Sequence, residues 1–496
     1  MARIAVIGAG MGALSAAARL AVAGHRVAVY ERTDTYGGAL RRFERDGFSF
    51  DTGPALLPLP AVYRDLFVKT GKEPLEACVE LVQVDPSSRH VFADGTAVSL
   101  PNASRAGVVA ALDEALGSGA GKRWGDFLVR AREAWDRTRR PLLEEPLWPN
   151  WQVLADREPY PAVPHKRLLR TRRAGTLAEV GAWELRDPRL AALLENYALA
   201  QGLDPRVTPA SAAVLPYMEH AFGTWYVRGG MRELARAVYE RCLARKVEFR
   251  FGAEVTGVLE KDGRASGVEF ADGTVAEADF VVAGVAPGVL DRLTAGHPVR
   301  GAGEVPAQRA AAGRLTVLLA LRGARPEGTA HRTVVHTQDR EAELDALFGA
   351  ATRHADPTVT VLRPGDPRSA PEEHEAVTLT TVVPARPDRS CEDLAAHMIS
   401  VAERAVPDLR DRLLWHEVRT PADIAEATGA EDGSVPVPAL AAAGGRLLHP
   451  SNSTRLPGLF AVGGWAHPGG GLPHAGMSGA LVAGLIVEGP DFRGSQ

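Results

Sequence analysis

Arg3-Ile4-Ala5-Val6-Ile7-Gly8-Ala9-Gly10-Met11-Gly12-Ala13-Leu14, continued as far as Tyr30-Glu31, is the stretch that decides the fold. Ile4 to Ile7 reads as a strand ending in a glycine turn, Leu14 to Ala23 as a helix without proline, and Arg26 to Tyr30 as a second strand. The result is one βαβ unit with the G-x-G-x-x-G/A spacing of a dinucleotide site. Gly8 makes the tight turn, Gly10 lets the backbone approach a pyrophosphate, and Ala13 takes the position where helix and strand pack closely. The N–H groups and positive dipole end of the helix N-terminus suit phosphates. Glu31 stands roughly 20 residues beyond the glycines, where an acid accepts from ribose hydroxyls. A glycine turn that binds nothing would not require strand, turn, helix, second strand and acid in this order. The motif alone fits a nicotinamide or a flavin dinucleotide.

At 496 residues the chain exceeds a single hydrophobic core, so two or more domains are expected. With 45% hydrophobic and 24% charged residues it has the balance of an ordinary globular protein rather than a disordered or fibrous one. A net charge of −4 supplies no global attraction for nucleic acid or an anionic membrane. Cys78, Cys242 and Cys391 are far apart and odd in number, which argues against a disulfide framework or a cysteine zinc site and for a reducing, cytoplasmic setting. The first residues show no basic n-region or cleavage site. No uncharged apolar stretch of about 18 residues escapes glycine breaks, so no membrane span is expected. The nearest candidate, Ala475 to Val487, suits a buried helix, and peripheral membrane contact stays open.

Further along, Gly37-Gly38 and Asp51-Thr52-Gly53-Pro54 offer loops that either pass near the nucleotide or simply turn the chain. Tyr63 to Lys72 reads as a helix and Val82 to Leu100 as a hairpin through Asp94-Gly95, where a different domain begins. Ala103 to Arg173 is helical in pattern and tryptophan-rich (Trp124, Trp135, Trp148, Trp151). Gly117 to Lys122 imitates a phosphate loop but fails, with Leu116 at the first glycine position and Arg123 where Ser or Thr should follow the lysine. The basic run His165 to Arg173 reads as a solvated helix face in preference to a contact with anionic lipid. Met231 to Leu243 should form a helix entered from Arg228-Gly229-Gly230, and Val247 to Gly284 a set of short strands punctuated by Asp262-Gly263 and Asp272-Gly273. These can complete a nucleotide-binding sheet begun at the N-terminus. Leu315 to Leu321, Val359 to Leu362 and Val377 to Val383 supply a second sheet, and Ser390 with Asp393 marks a helix start. The end repeats the opening logic: a strand at Gly458 to Val462, a loop from Gly463 to Pro473, and a small-residue helix.

Gly8 to Ala13 with Glu31, Gly37-Gly38, Asp51 to Pro54, the Arg228 to Met231 helix start, and Ala466-His467-Pro468-Gly469-Gly470-Gly471-Leu472-Pro473 followed by Met477-Ser478-Gly479 together resemble the phytoene desaturase family of flavoproteins, nearest its carotenoid 3,4-desaturase branch. The resemblance runs nearly end to end, through Asn196-Tyr197, Asp204-Pro205 and Val377 to Pro384. It implies an α/β fold: a discontinuous Rossmann-like FAD-binding domain of the GR2 flavoprotein type (1–75, 225–295 and 445–496) with a second α+β substrate domain (76–224 and 296–444). It implies FAD as cofactor, a hydrophobic polyene or isoprenoid as substrate, and hydride transfer to flavin N5 with loss of a vicinal proton. The adenosine ribose would sit on Glu31 beside Arg32, the adenine near Val255, and the pyrophosphate on Gly8, Ala9, Gly10, Met11, Gly12 and Ala13. The flavin would lie between Gly38, Ala39 and Leu40, Gly53 and Pro54, and Gly464, Gly471, Leu472 and Pro473.

Three positions depart from that pattern. Ala39 replaces a frequent Arg or Lys, whose contact must come from Arg41 or Arg42; no acid follows Gly463; and His449 replaces a frequent arginine. His467 reads either as a proton acceptor or as a brace for its loop, and Trp465 either as a wall beside the flavin or as core. His220 and His474 carry no assignment, and no histidine and acid cluster calls for a metal. Alternatives to desaturation are a flavoenzyme that reduces, isomerises or cyclises a polyene, an amine oxidase with an aromatic cage, and a nucleotide-binding escort protein without turnover.

Overall fold

The computed structural model describes residues 1–147, 150–165, 170–295, 312–349, 356–384 and 390–494. Trp148 and residues 166–169 of the basic run lie outside the described residues. The chain opens with β1 (Arg3–Ile7), α1 (Met11–Val22) and β2 (Arg26–Glu31). A hairpin follows, β3 (Ser88–Val91) and β4 (Ala97–Leu100), and then the helices α2 (Arg105–Leu116), α3 (Ala120–Arg139) and α4 (Pro188–Leu199). Helix α5 (Arg232–Ala244) leads into β5 (Glu248–Phe251), a meander β6 (Val255–Lys261), β7 (Arg264–Phe270) and β8 (Val275–Glu277), and the strand β9 (Phe280–Ala283). Next come β10 (Ala312–Arg322), β11 (Arg332–Val335), β12 (Val359–Leu362), β13 (His374–Pro384), α6 (Cys391–Ala402), β14 (Leu413–Arg419) and α7 (Pro421–Thr428). The described chain closes with β15 (Leu459–Ala461) and α8 (Leu472–Val487).

The first sheet has five parallel strands in the order β5-β2-β1-β9-β15, so three distant segments of chain meet in it. Glu248 to Phe251 thus pairs with β2 at the sheet edge instead of joining the meander, which stands as its own three-stranded sheet. Ile4, Val6, Val27 and Val29 from the first sheet share one core with Leu14 and Leu20 of α1 and Val482 of α8. Each fully buried leucine there contributes about 1.5–3 kcal/mol. Small residues let α1 and α8 touch: a Cβ on Gly479 would come within 2.6 Å of the Gly12 carbonyl oxygen.

The second sheet has seven strands in the order β14-β10-β13-β12-β11-β3-β4, antiparallel except where β11 meets β3. Its strands alternate. Leu315, Val317, Val361, Val377 and Leu379 pack against Ala395, Met398 and Ile399 of α6, and the residues between them face the other way. The helical region gathers around Trp124, Phe127 and Leu128 of α3.

Two local expectations are corrected. The flanks of the basic run form an antiparallel strand pair, with Arg172 opposite Val163 and Arg170 opposite His165, rather than a helix face. The run has no apolar stripe to hold a helix down, and backbone pairing satisfies the extended chain instead. Helix α6 begins after Ser390, but the Ser390 side chain makes no cap hydrogen bond.

Candidate active site

The strand-to-helix turn brings bare backbone to the surface of a cavity of about 600 Å³. Gly8, at φ +87°, folds the chain back so that its N–H donates to the Tyr30 carbonyl at 2.8 Å. Gly10 is the N-cap of α1, which has neither a side-chain cap nor an acid in its first turn. The first-turn N–H groups of Met11, Gly12 and Ala13 therefore have no intrahelical acceptor. A Cβ on Gly10 would meet no protein atom within 4 Å, so the space over it is free. Uncapped donors, a positive helix end and open space over Gly10 together fit the pyrophosphate of a dinucleotide.

Glu31, at the end of β2, is buried with its carboxylate on the cavity wall. Its Oε2 accepts from Ala9 N at 2.8 Å and its Oε1 from Thr33 N and Oγ1 at 2.9 and 2.8 Å, which fixes it in place. The next loop is tied to the first, since Gly37 N donates to Ala9 O at 2.7 Å. Arg232, at the start of α5, holds this loop through the carbonyls of Tyr36 and Leu40 and the hydroxyl of Thr35. Asp51 in turn caps α5, accepting from Met231 N at 2.8 Å, and burial raises its carboxyl to about 6. Neither role was read from the sequence, because both partners lie far along the chain. Of the two arginines beside Ala39, Arg41 reaches the cavity, while Arg42 turns to Glu233 at 2.9 Å.

The closing loop packs directly on the opening turn. A Cβ on Gly12 would lie 2.6 Å from Gly463 Cα, so the contact needs glycine at 12, while Gly463 is held at φ +96°, a conformation that favours glycine. Asn452, fully buried, braces the loop with Nδ2, donating to Ala461 O, His467 O and Ser478 Oγ at 3.1, 2.8 and 3.1 Å. Only its place before the last strand hinted at this. Gly464, Trp465, Gly471 and Leu472 line the cavity, as do Arg32, Gly38, Ala39, Leu40, Gly53, Pro54 and Val255. Gly53 passes so close to Ala39 that a Cβ would lie 2.0 Å from its carbonyl oxygen.

His467 and Pro473 are not on that wall. His467 is fully buried; its Nε2 donates to Glu145 O at 2.9 Å and its backbone N to Pro450 O at 2.9 Å. Burial pushes its pKa down to about 4. The proton-acceptor role is thereby corrected to a strut between loop and helical region. Burial also lowers His449 to about 4 and His474 to about 3, and His220, likewise lowered to about 4, packs edge-on to Trp124. Pro473 is buried in the first turn of α8.

The opposite wall is the second sheet, entering through Thr316, Val334, Thr360, Leu362, Thr378 and Thr380. Among the described residues the aromatic side chains on the cavity are Tyr30 and Trp465, so the wall holds no aromatic cage of the kind amine oxidation predicts. No group of three His, Cys, Asp or Glu side chains among the described residues could hold a metal. No described helix is long and apolar enough to cross a membrane.

The profile of the flavin containing amine oxidoreductase family matches residues 14–487. The chain belongs to this family. It is a flavin-dependent oxidoreductase. The 4,4'-diapolycopene oxygenase of a Methylomonas species is 30% identical, covering 98% of both chains. The hydroxyneurosporene desaturase of Rhodobacter capsulatus is 29% identical over 98% of this chain and 97% of its own. The zeta-carotene-forming phytoene desaturase of Myxococcus xanthus is 28% identical over 97% and 93%. Among solved structures, an oxidoreductase from Methanosarcina mazei superposes with a TM-score of 0.64 at 18% identity, covering 97% of this chain and 99% of its own. A putrescine oxidase superposes at 0.64 and 14% identity, covering 98% and 99%. These two share the fold.

Proposed function

We propose that FAD lies along the glycine wall of the cavity and that the chain desaturates a carotenoid-type polyene held between that wall and the second sheet. The observation that carries the reading is the end-to-end similarity to relatives named as carotenoid desaturases, joined to a cavity that runs from the dinucleotide turn to a separate sheet. In this reading 1–75, 225–295 and 445–496 form the FAD-binding domain, and 76–224 with 296–444 form the substrate domain. Gly8 to Ala13 take the pyrophosphate, Glu31 and Arg32 the adenosine ribose, and Val255 the adenine. Gly38 to Leu40, Gly53-Pro54, Gly464, Gly471 and Leu472 enclose the flavin, with Pro473 behind them.

FAD, when bound, supplies a two-electron acceptor for hydride from a substrate carbon, and the neighbouring carbon loses a proton as the double bond forms. The chain's own residues position and enclose. The uncapped N-terminus of α8 faces the cavity and favours negative charge there. Trp465 walls the substrate side, and the sheet excludes water. No histidine on the wall takes the proton among the described residues. A polyene dissolves in bilayers, so uptake from a membrane surface goes with this reading.

The test is to incubate the FAD-loaded protein with an acyclic polyene in liposomes and weigh the product. The reading predicts a product two hydrogens lighter with a longer chromophore; unchanged polyene contradicts it. A second reading, oxygenation of the polyene end, is favoured by the Methylomonas relative and would give a product that has gained oxygen.

A further inference from the structure

A second, smaller chamber adjoins the cavity at the Asp51-Thr52-Gly53-Pro54 turn. Asp51, Ala55, Leu362 and Thr378 belong to both walls. The chamber, about 30 Å³ in volume, is also lined by Tyr226, His331, Asp366 and Arg368, the last exposed at the surface. That is room for one or two ordered waters with several polar partners each. His331 tilts its ring over Tyr226 with 4.8 Å between centroids. Asp366 is fixed there, its Oδ2 accepting from Tyr226 Oη at 2.9 Å and from Gly229 N at 2.5 Å. A polar, water-sized passage thus leads from the cavity toward solvent.

Asp51 stands where the two spaces meet, and it is the least occupied carboxylate on the main cavity. The others among the described residues are Glu31, Glu254, Glu343 and Asp423. Glu31 is filled by Ala9 and Thr33. Glu343 Oε2 accepts from Thr358 Oγ1 at 2.9 Å and from Arg340 Nη1 at 3.0 Å. Asp423 Oδ2 accepts from Thr420 N and Oγ1, both at 2.7 Å, and its Oδ1 faces Arg419 at 3.7 Å. Glu254 is exposed beside Val255. Asp51 Oδ2 accepts from Met231 N at 2.8 Å, but Oδ1 meets Arg232 N at a stretched 3.4 Å. A carboxylate oxygen takes two donors, so Oδ1 keeps capacity for a proton. Capping α5 does not by itself call for a carboxylate, since asparagine would accept the same N–H without a charge to desolvate.

The groups around Asp51 leave it poised. Arg42 stands opposite it in a short hairpin, Arg42–Arg45 with Phe48–Asp51, and favours the carboxylate. Asp366 favours the acid, as does burial, the largest effect; the balance is the value of about 6 given above. Tyr226, His331 and Arg368 complete the chamber, while the Arg232 side chain is turned to Thr35, Tyr36 and Leu40. A base is most useful when it ionises near the working pH.

Resting on the flavin and polyene reading above, we propose that Asp51 accepts the proton lost by the substrate and that the side chamber carries that proton to solvent. One C–H bond of the polyene gives up its hydrogen with both electrons to the bound flavin. The neighbouring C–H bond leaves its electron pair behind as the new π bond, and its proton goes to Asp51 Oδ1. Chamber water then takes the proton out past Asp366 and Arg368, and Asp51 is a carboxylate again.

The experiment follows anaerobic flavin bleaching by an acyclic polyene in a single turnover of the FAD-loaded full chain, between about pH 5 and 8. The wild-type rate should fall as pH drops through about 6. Asp51→Asn should slow bleaching by about a hundredfold or more and lose that pH dependence. Arg42→Gln removes the cation that favours the carboxylate, so it should move the break in the profile to higher pH. Without polyene, infrared difference titration should show a carboxyl ionising near pH 6 that is missing from Asp51→Asn. Flavin content and melting temperature report whether each variant is folded. Asp51→Asn that folds, binds FAD and bleaches at the wild-type rate overturns the assignment. So does a flat wild-type profile, or a break that Arg42→Gln leaves in place, and both can be read even if Asp51→Asn does not fold. If no polyene bleaches fully loaded wild type, the polyene reading itself fails and the role of Asp51 falls with it.

Discussion

Across the cavity, the glycine wall meets its ligand with backbone and the sheet wall meets its ligand with side chains. On the first, Gly12 touches Gly463 and Gly53 touches Ala39 so closely that a single Cβ would collide. On the second, Thr316, Thr360, Thr378 and Thr380 carry branched side chains whose hydroxyls could be exchanged for a methyl group without moving the strand. The contrast teaches that the two walls have different freedoms. One is fixed by packing and, in the proposed reading, takes the phosphate and ribose of FAD; the other can change which substrate it accepts while the sheet stays the same.

The largest expected effect separates packing from ligand contact on the glycine wall itself. Gly12→Val should destabilise the protein by more than about 3 kcal/mol and abolish flavin retention, since α1 and the closing loop cannot both keep their places. Gly10→Ala has free space for its methyl group, so the melting temperature of the apoprotein should hold while FAD affinity falls. Equal loss of melting temperature in both variants would break the distinction.

Glu31→Ala removes the proposed ribose acceptor and leaves Ala9 N without its carboxylate partner, and it should weaken FAD binding by about ten- to a hundredfold, read by flavin fluorescence titration. Acid should act on the closing loop. His449, His467 and His474 have pKa values lowered by burial from the ordinary 6.5 to about 4, 4 and 3. Below pH 6.5 the unfolded chain therefore binds more protons than the folded one, and stability present above that pH is lost as it falls toward 4. Asp51 and Glu158, raised by burial to about 6 and about 7, work in the opposite direction, while His220, His331 and His336, lowered by burial to about 4, 4 and 3, add to the three of the loop. Flavin release followed between pH 7 and 4 checks this; constant retention through that window contradicts it. The smallest effect belongs to His467→Gln, which should lower the melting temperature but leave the pH profile of kcat in place, because the ring is off the cavity wall.

Legibility followed distance along the chain. The opening βαβ unit could be read because strand, glycines, helix and acid are consecutive, and the closing strand, loop and helix could be read for the same reason. The position of Glu248 to Phe251 at the edge of the first sheet could not, since its partner β2 lies in a distant segment. Asp51, quoted as part of a loop motif, shows its role only when α5 arrives to be capped. His467 sits in a motif that suggests chemistry, yet its ring is aimed at Glu145, which sequence reasoning had no means to place beside it. The threonine row is a property of register across β10, β13 and β12, and each strand alone is merely a β-branched run.

The central claim, FAD on the glycine wall and a polyene on the sheet wall, is tested most directly by one anaerobic titration. An acyclic carotenoid is added to the fully FAD-loaded protein while the flavin absorbance is recorded. The account predicts bleaching of the oxidised flavin in step with the appearance of a polyene carrying one more double bond. A flavin that stays oxidised with every polyene offered would contradict it.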